Sequence, residues 1–149
     1  MPFSIIETCT GCTACARKCP VNAIRGERKQ EHVIDPSLCI ECGACGRICP
    51  SQAVLDAKGQ LAERIPPARW LKPVWKYSSC VECCICITAC PTGSINLAEH
   101  QVPKDGLKPS YPFLQTKETC IGCGFCEESC PASAISMKEP PPAAVLVAV

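Results

Sequence analysis

The stretch CTGCTACARKCP, which spans residues 9–20, sets the pattern of the whole chain. Its cysteines are spaced C-x2-C-x2-C-x3-C, and a proline follows the last of them. The same run returns at residues 39–50, 80–91 and 120–131. Sixteen of the 17 cysteines occupy the spaced positions of these four runs, so the repeat cannot be an accident of composition.

The cysteine spacing narrows the kinds of site that the chain can carry. A secreted disulfide scaffold is also rich in cysteine, but the count of 17 is odd and the spacing is that of a repeated metal site. Structural zinc typically uses two CxxC pairs far apart, which these longer runs do not match. C-x2-C-x2-C-x3-C-P is the bacterial iron–sulfur run, and thiolates are the soft ligands that such clusters require.

On these runs, residues 1–64 and residues 79–138 each resemble the two-cluster bacterial ferredoxins. The resemblance implies an α+β fold with two tandem ferredoxin-like [4Fe–4S] dicluster domains, small sheets and short helices, which together form a polyferredoxin. Residues 65–78, rich in proline, tryptophan and basic side chains, are predicted to be a linker. Residues 139–149 are predicted to be a proline-rich apolar tail.

The resemblance also implies the cluster ligands, because the fourth cysteine of such a run binds the cluster of the other run. If neighbouring runs pair, the chain binds four [4Fe–4S] clusters. Their predicted ligands are Cys9, Cys12, Cys15 and Cys49; Cys39, Cys42, Cys45 and Cys19; Cys80, Cys83, Cys86 and Cys130; and Cys120, Cys123, Cys126 and Cys90. A nested pairing, of the first run with the fourth and of the second with the third, stays open and would exchange only the fourth ligands.

Three further side chains with ligand chemistry lie outside these slots. Cys84 follows a second ligand, in a slot that the other runs fill with Thr13, Gly43 and Gly124. We therefore predict that Cys84 does not bind metal, although a redox or alternative-ligand role stays open. His32 and His100 lie in predicted loops, where we expect solvated side chains.

Charge and hydropathy exclude several partners. The formal net charge is +1, and four clusters of about −2 each would lower it to roughly −7. Without a dense basic stripe, nucleic-acid binding is not expected. No stretch reaches the roughly 18 apolar residues of a membrane span, and no secretory signal precedes the first run. We expect a cytoplasmic location.

The predicted function is one-electron transfer without catalysis by the chain itself. No nucleophile–base set, paired acid set or phosphate loop is visible. Similar four-cluster proteins are electron-transfer subunits of tungsten aldehyde oxidoreductases of anaerobic metabolism. The resemblance implies a catalytic partner subunit (a tungsten, molybdenum or flavin enzyme) and an external electron carrier. Trp70, Trp75 and the tail either pack on the chain itself or dock on such a partner, since tryptophan is favoured at interfaces. The alternative is a free soluble polyferredoxin that carries electrons between separate enzymes.

Overall fold

Short strands and five-residue helices alternate in a computed structural model that describes residues 2–97 and 111–140. The chain divides into two units, Met1–Pro67 and Ala68–Val149. Every sheet in the described ranges consists of two antiparallel strands. The predicted α+β class with small sheets and short helices is therefore confirmed.

The first unit is built from six elements in the order βαββαβ. They are β1 (Ser4–Ile5), α1 (Ala14–Lys18), β2 (Ile24–Arg25), β3 (Val33–Ile34), α2 (Ala44–Ile48) and β4 (Val54–Leu55). The first strand pairs with the last, β1 with β4, and the two middle strands, β2 and β3, form a hairpin. Each cysteine run thus places one helix between two strands of different sheets.

The second unit repeats this order after a short 3-10 turn at Pro67–Arg69. Its elements are β5 (Lys72–Trp75), α3 (Ile85–Ala89), β6 (Ile95–Leu97), β7 (Pro112–Leu114), α4 (Phe125–Ser129) and β8 (Ile135–Lys138). Strand β5 pairs with β8, and β6 pairs with β7. The two units therefore share one topology, as their matching cysteine runs predict.

The helices begin and end at equivalent residues of the four runs. The residue before each helix has a left-handed backbone, with φ between 62° and 80°: Thr13, Gly43, Cys84 and Gly124. The last cysteine of each run ends its helix in an extended conformation, as at Cys19 with φ −69° and ψ 116°. Proline follows that cysteine and disfavours the helical region at the residue before it.

The core of each unit consists of the cysteines and of two positions after each Cys-Pro pair. The first of these positions holds a small residue of at most 2% exposure: Ala23, Ala53, Ser94 or Ala134. The second begins a strand with a buried aliphatic side chain: Ile24, Val54, Ile95 or Ile135. These residues bury little apolar surface, so the thiols form a large part of each interior.

Part of the predicted linker belongs to the second unit. Residues 72–75 form β5, and the Lys72 ammonium donates hydrogen bonds to the carbonyl oxygens of Lys117 (2.9 Å) and Cys120 (2.7 Å). Trp70 is 2% exposed, and Trp75 packs against the buried core of this unit. Of the two roles left open for Trp70, partner docking is corrected, because its side chain is covered, and packing on the chain itself fits. The domain limits 1–64 and 79–138 stay predictions.

Some sequence predictions fall where the structure gives no description. The tail is described only for residues 139 and 140, so its predicted docking role lies outside the described residues, as does the side chain of His100. Within residues 2–97 and 111–140, no helix has the length and apolar character needed to cross a membrane.

Gly11, between the first two cysteines, is predicted to be essential for the packing of its loop. It has φ +67°, and a methyl group there would lie 2.5 Å from the Gln30 carbonyl oxygen and 2.6 Å from the Lys29 carbonyl carbon. We expect Gly11→Ala to lower the free energy of unfolding by the left-handed penalty of about 1–2 kcal/mol. Overpacking adds about 1–3 kcal/mol to that loss.

Gly59→Ala is the matched control, because Gly59 has φ +79° in the same unit and no atom within 4 Å of the added methyl. This control should lose only the left-handed penalty. Guanidinium unfolding followed by circular dichroism compares the two variants. Equal midpoints would contradict the proposed role of packing at Gly11.

Candidate metal centres

The cysteines of the four runs line four cavities, each of about 300 to 320 Å³. The first cavity is lined by Cys9, Cys12, Cys15 and Cys49; the second by Cys39, Cys42, Cys45 and Cys19; the third by Cys80, Cys83, Cys86 and Cys130; and the fourth by Cys120, Cys123, Cys126 and Cys90. In each of these sets, three cysteines come from one run and the fourth from its neighbour. These are the sets of the sequential pairing, while their binding of metal stays a prediction.

The exchange of the fourth cysteine follows from the short helices. In the first run, Cys15 lies in the first turn of α1, whereas Cys19 directly follows its last residue. The helix therefore separates the two side chains, and Cys15 lines the first cavity while Cys19 lines the second. In the second run, Cys45 lines the second cavity and Cys49 lines the first. Each of the two helices therefore lies between a cysteine of one cavity and a cysteine of the other.

A backbone amide donates to the fourth cysteine of every run over the same distance. The amides of Ala23, Ala53, Ser94 and Ala134 lie 3.3 Å from the Sγ atoms of Cys19, Cys49, Cys90 and Cys130. An N–H group directed at sulfur stabilises a thiolate and tunes the metal that it binds. The repetition of this bond links the small residue after each Cys-Pro pair to the site.

Two cavities add a side-chain hydroxyl to this amide. Ser51 Oγ lies 3.5 Å from Cys49 Sγ in the first cavity, and Thr92 Oγ1 lies 3.4 Å from Cys90 Sγ in the fourth. Burial raises the pKa of both thiols, but the hydroxyl and backbone amides together outweigh it and leave each pKa below the ordinary value. The second and third cavities have no hydroxyl at this position, since Val21 and Ala132 occupy it.

The third cysteine of each run is buried, with at most 8% of its surface exposed. Burial raises the pKa of the Cys15 thiol to about 11 and those of Cys45 and Cys126 to about 12. The pKa of Cys86 is also raised, mainly by burial. Without metal these thiols keep their protons at neutral pH, so metal binding must release protons.

We predict that the two hydroxyls raise the reduction potentials of their clusters. A hydrogen bond to a ligand sulfur stabilises the more negative, reduced state. One bond of about 0.5–1.5 kcal/mol corresponds to about 20–60 mV for a one-electron couple. Ser51→Ala and Thr92→Val should each lower one potential by about this amount, as measured by redox titration followed by EPR.

Thr88→Val is the control for this titration. The Thr88 hydroxyl donates to the Ile85 carbonyl oxygen at 2.9 Å within α3. Its removal should leave all potentials unchanged. A shift in Thr88→Val as large as the one in Thr92→Val would contradict a specific effect of the cysteine-bonded hydroxyl.

The donor set fits an iron–sulfur cluster. In the described ranges, no group of three or more His, Cys, Asp or Glu side chains is arranged to hold a single metal ion. The four thiols instead surround a space with apolar walls, formed in the first cavity by Ile5, Ala53 and Val54. Four soft ligands around such a space match the requirements of a [4Fe–4S] cluster.

Comparison with protein families agrees with this chemistry. Residues 8–53 match the 4Fe–4S dicluster domain, and residues 116–136 match the 4Fe–4S binding domain. The first match contains both runs of the first unit, and the second contains the last run. The chain carries ferredoxin-type 4Fe–4S domains in tandem. Iron–sulfur binding and a role in electron transfer follow for these ferredoxin-type domains, while the number of clusters stays a prediction.

More distant comparisons add less. No curated protein matches the chain. Among solved structures, it is similar to a chain of the formate dehydrogenase–heterodisulfide reductase–formylmethanofuran dehydrogenase complex from Methanospirillum hungatei, with a TM-score of 0.41 and 18% identity. The similarity covers 94% of this chain and 54% of that chain. A likeness of this size carries no argument about the function of the ferredoxin-type domains.

Cys84 lies at the edge of the third cavity, beside the four predicted ligands. Its backbone has φ +62° at the start of α3, and its Sγ lies 3.7 Å from the Glu82 carbonyl oxygen. The slot thus requires a left-handed backbone, which Gly43 and Gly124 adopt more easily. That Cys84 does not bind metal stays a prediction.

The sequence interpretation was wrong about His32. Its side chain is 1% exposed and lines the first cavity, although we expected it to be solvated. The ring fits because Gly26 faces it across the β2–β3 hairpin: a methyl group at Gly26 would lie 2.7 Å from His32 Cγ. Gly26, which leaves room for a ring across the hairpin, was the sequence signal that could have indicated a buried His32.

Proposed function

We propose that the chain binds four [4Fe–4S] clusters, one in each cavity, and passes single electrons as a non-catalytic subunit of a cytoplasmic oxidoreductase complex. The ligands are the sixteen cysteines of the four runs, in the sequential sets that line the cavities. A tungsten aldehyde oxidoreductase-type complex is the proposed host. The observation that carries the proposal is the fourfold repetition of one site, with four thiols and one amide directed at sulfur.

The clusters would supply the one-electron chemistry, and the chain's own residues would set its conditions. Amides and hydroxyls at the ligand sulfurs stabilise negative charge. Buried aliphatic residues such as Ile24 and Ile135 keep water away from the cavities. Residues of this kind hold and tune a carrier, and they need no bound organic substrate.

Each unit has one cavity with a surface ligand, which suits electron exchange. Cys12 of the first cavity and Cys83 of the third are exposed, whereas Cys15 and Cys86 are buried. Beside Cys83, the apolar side chains of Val81 and Ile85 are 63% and 42% exposed. Exposed apolar residues next to a metal ligand favour contact with a protein partner.

The cluster count is tested on protein purified without oxygen. About sixteen iron and sixteen sulfide per chain are expected if all four cavities are filled. Reduction should then occur in one-electron steps without turnover of an organic substrate. A colourless protein that binds zinc, or one with iron for two clusters only, would contradict the proposal.

The subunit role is tested by purification from the native host. We expect the chain to co-purify in fixed proportion with a larger enzyme that contains tungsten, molybdenum or flavin. A fully loaded chain that is recovered as a stable monomer would instead favour the free polyferredoxin. Mass spectrometry of the native complex would identify the host.

A further inference from the structure

His32 brings an unpaired polar atom to the first cavity. Its ring lines this cavity together with Cys9, Cys12, Cys15 and Cys49. Nδ1 is hydrogen-bonded to the Gln30 carbonyl oxygen at 3.0 Å. Nε2 is buried and has no hydrogen-bond partner among the described residues. A buried polar atom without a partner costs about 1–3 kcal/mol, so a partner from outside the chain is expected.

The hydrogen bond at Nδ1 fixes one proton of the ring. A carbonyl oxygen only accepts, so Nδ1 carries a hydrogen and donates it to Gln30. A bare lone pair at Nε2 would be repelled by the electron-rich sulfur of a bound cluster. With a hydrogen at Nε2 the same atom is a donor, which a cluster sulfur can accept.

The hairpin holds the ring in this place. Strands β2 and β3 pair Ile24 with Ile34 and Arg25 with Val33, so the next pair in register is Gly26 with His32. Because Gly26 has no side chain, the imidazole packs directly over it. A position enforced by backbone pairing suits a residue that must direct one atom at a fixed target.

Among the described residues, no imidazole lines the equivalent cavity of the second unit. Ile95 pairs with Leu114 in that hairpin, which places Pro112 where the first unit has His32. Pro112 lines the third cavity, as His32 lines the first. The third cavity has instead an indole, that of Trp75, which lies beside the Cys86 thiol and lowers its pKa against the larger effect of burial.

We propose that His32 is a hydrogen-bond donor, through Nε2–H, to a sulfur of the [4Fe–4S] cluster in the first cavity, and that it raises the reduction potential of this cluster. The inference rests on the proposed assignment of Cys9, Cys12, Cys15 and Cys49 to one cluster. His32 acts as a positioning and tuning residue, and the four thiolates remain the ligands. It adds a function to a residue outside the cysteine runs.

Pulsed EPR of protein labelled with nitrogen-15 only in histidine tests the contact directly. In the reduced, fully loaded chain we expect a weak coupling between one cluster and one histidine nitrogen. His100→Gln, which leaves His32 as the remaining histidine, should keep this coupling. His32→Leu should abolish it. No coupling in the wild type, or coupling that persists in His32→Leu, would overturn the proposal.

A redox titration separates tuning from mere packing. His32→Leu should lower the potential of one cluster, and His32→Gln, which retains an N–H donor, should lower it less.

If both variants lose iron, pulsed EPR of the labelled wild type and of His100→Gln still tests the contact. A coupling as strong as that of a directly bound nitrogen would also overturn the proposal. Iron below that of four clusters in the wild type would instead count against the proposed function.

Discussion

Replacing Cys49 with alanine is expected to remove the cluster of the first cavity, although Cys49 belongs to the second cysteine run. Cys49 follows α2 and lines the first cavity with Cys9, Cys12 and Cys15. Its Sγ accepts the amide hydrogen of Ala53, so the thiol is already oriented. Iron and sulfide analysis should find a loss of about four atoms of each per chain.

Double variants determine which cysteines share a cluster. Cys12→Ala combined with Cys49→Ala should remove no more iron than either change alone, because both affect one cluster. Cys42→Ala combined with Cys49→Ala should remove about eight iron atoms, because Cys42 lines the second cavity and two clusters are lost. Cys84→Ala, at a cysteine outside the ligand slots, should remove none.

The nested pairing predicts a different result. In that arrangement Cys49 would serve the cluster of the third run, so Cys83→Ala and Cys49→Ala would remove the same cluster. Additive iron loss from Cys12→Ala and Cys49→Ala would contradict the sequential sets. A loss of about eight iron atoms from Cys49→Ala alone would show that the two clusters of a unit are not independent.

Removing all the clusters is expected to unfold both units. In the described part of the second unit, the buried hydrophobic cluster is small and consists of Ile95, Ile135 and two cysteines. Its helices have five residues, and its strands have three or four. Small domains with so little buried surface need metal to fold. Structural zinc supplies about 10–16 kcal/mol, which matches or exceeds the 5–15 kcal/mol that stabilises a typical domain.

Circular dichroism and hydrogen exchange measure this dependence. After oxidation and chelation, the far-ultraviolet signal should weaken and thermal unfolding should lose its cooperative transition. Protection should also vanish at the amides of Ala23, Ala53, Ser94 and Ala134, which donate to the fourth cysteines. Rebuilding the clusters with iron and sulfide is the control and should restore both signals. A cooperative transition in the metal-free protein would contradict this expectation.

The sequence predicted the parts of the sites that depend on local spacing. A cysteine three residues after another, a left-handed residue before the helix and a proline after it act within one run. These features fix the order of helix and strand around Thr13 and Pro20 without help from distant residues. The first three cysteines of each cavity follow from this local spacing, whereas the fourth comes from the neighbouring run and was implied by the ferredoxin resemblance.

The prediction for His32 failed because its environment is not local. The segment from Glu27 to Glu31 is charged, and such a stretch is typical of a solvated loop. Burial of the next residue depends on the register of β2 and β3, which places Gly26 opposite it. Register is a property of two strands, so one strand's composition could not indicate it.

The strand within the predicted linker was missed for a related reason. Its prolines indicate an extended connector, yet Pro73 lies within β5 and pairs in register with Met137. A two-stranded sheet consists only of edge strands, where proline is tolerated. The paired residues lie 60 to 66 positions later along the chain, so the pairing leaves no trace in the linker itself.

The first strand of each unit pairs with its last, so the two ends of a unit lie side by side. Ser4 pairs with Leu55 in one unit and Lys72 with Lys138 in the other, so both ends of a unit leave from one sheet. Domains whose termini lie close together tolerate duplication, insertion and circular permutation. Further copies could be spliced in series without opening the cysteine-lined interior. The distance over which such a chain of units passes electrons would then be set by gene duplication, with no new fold required.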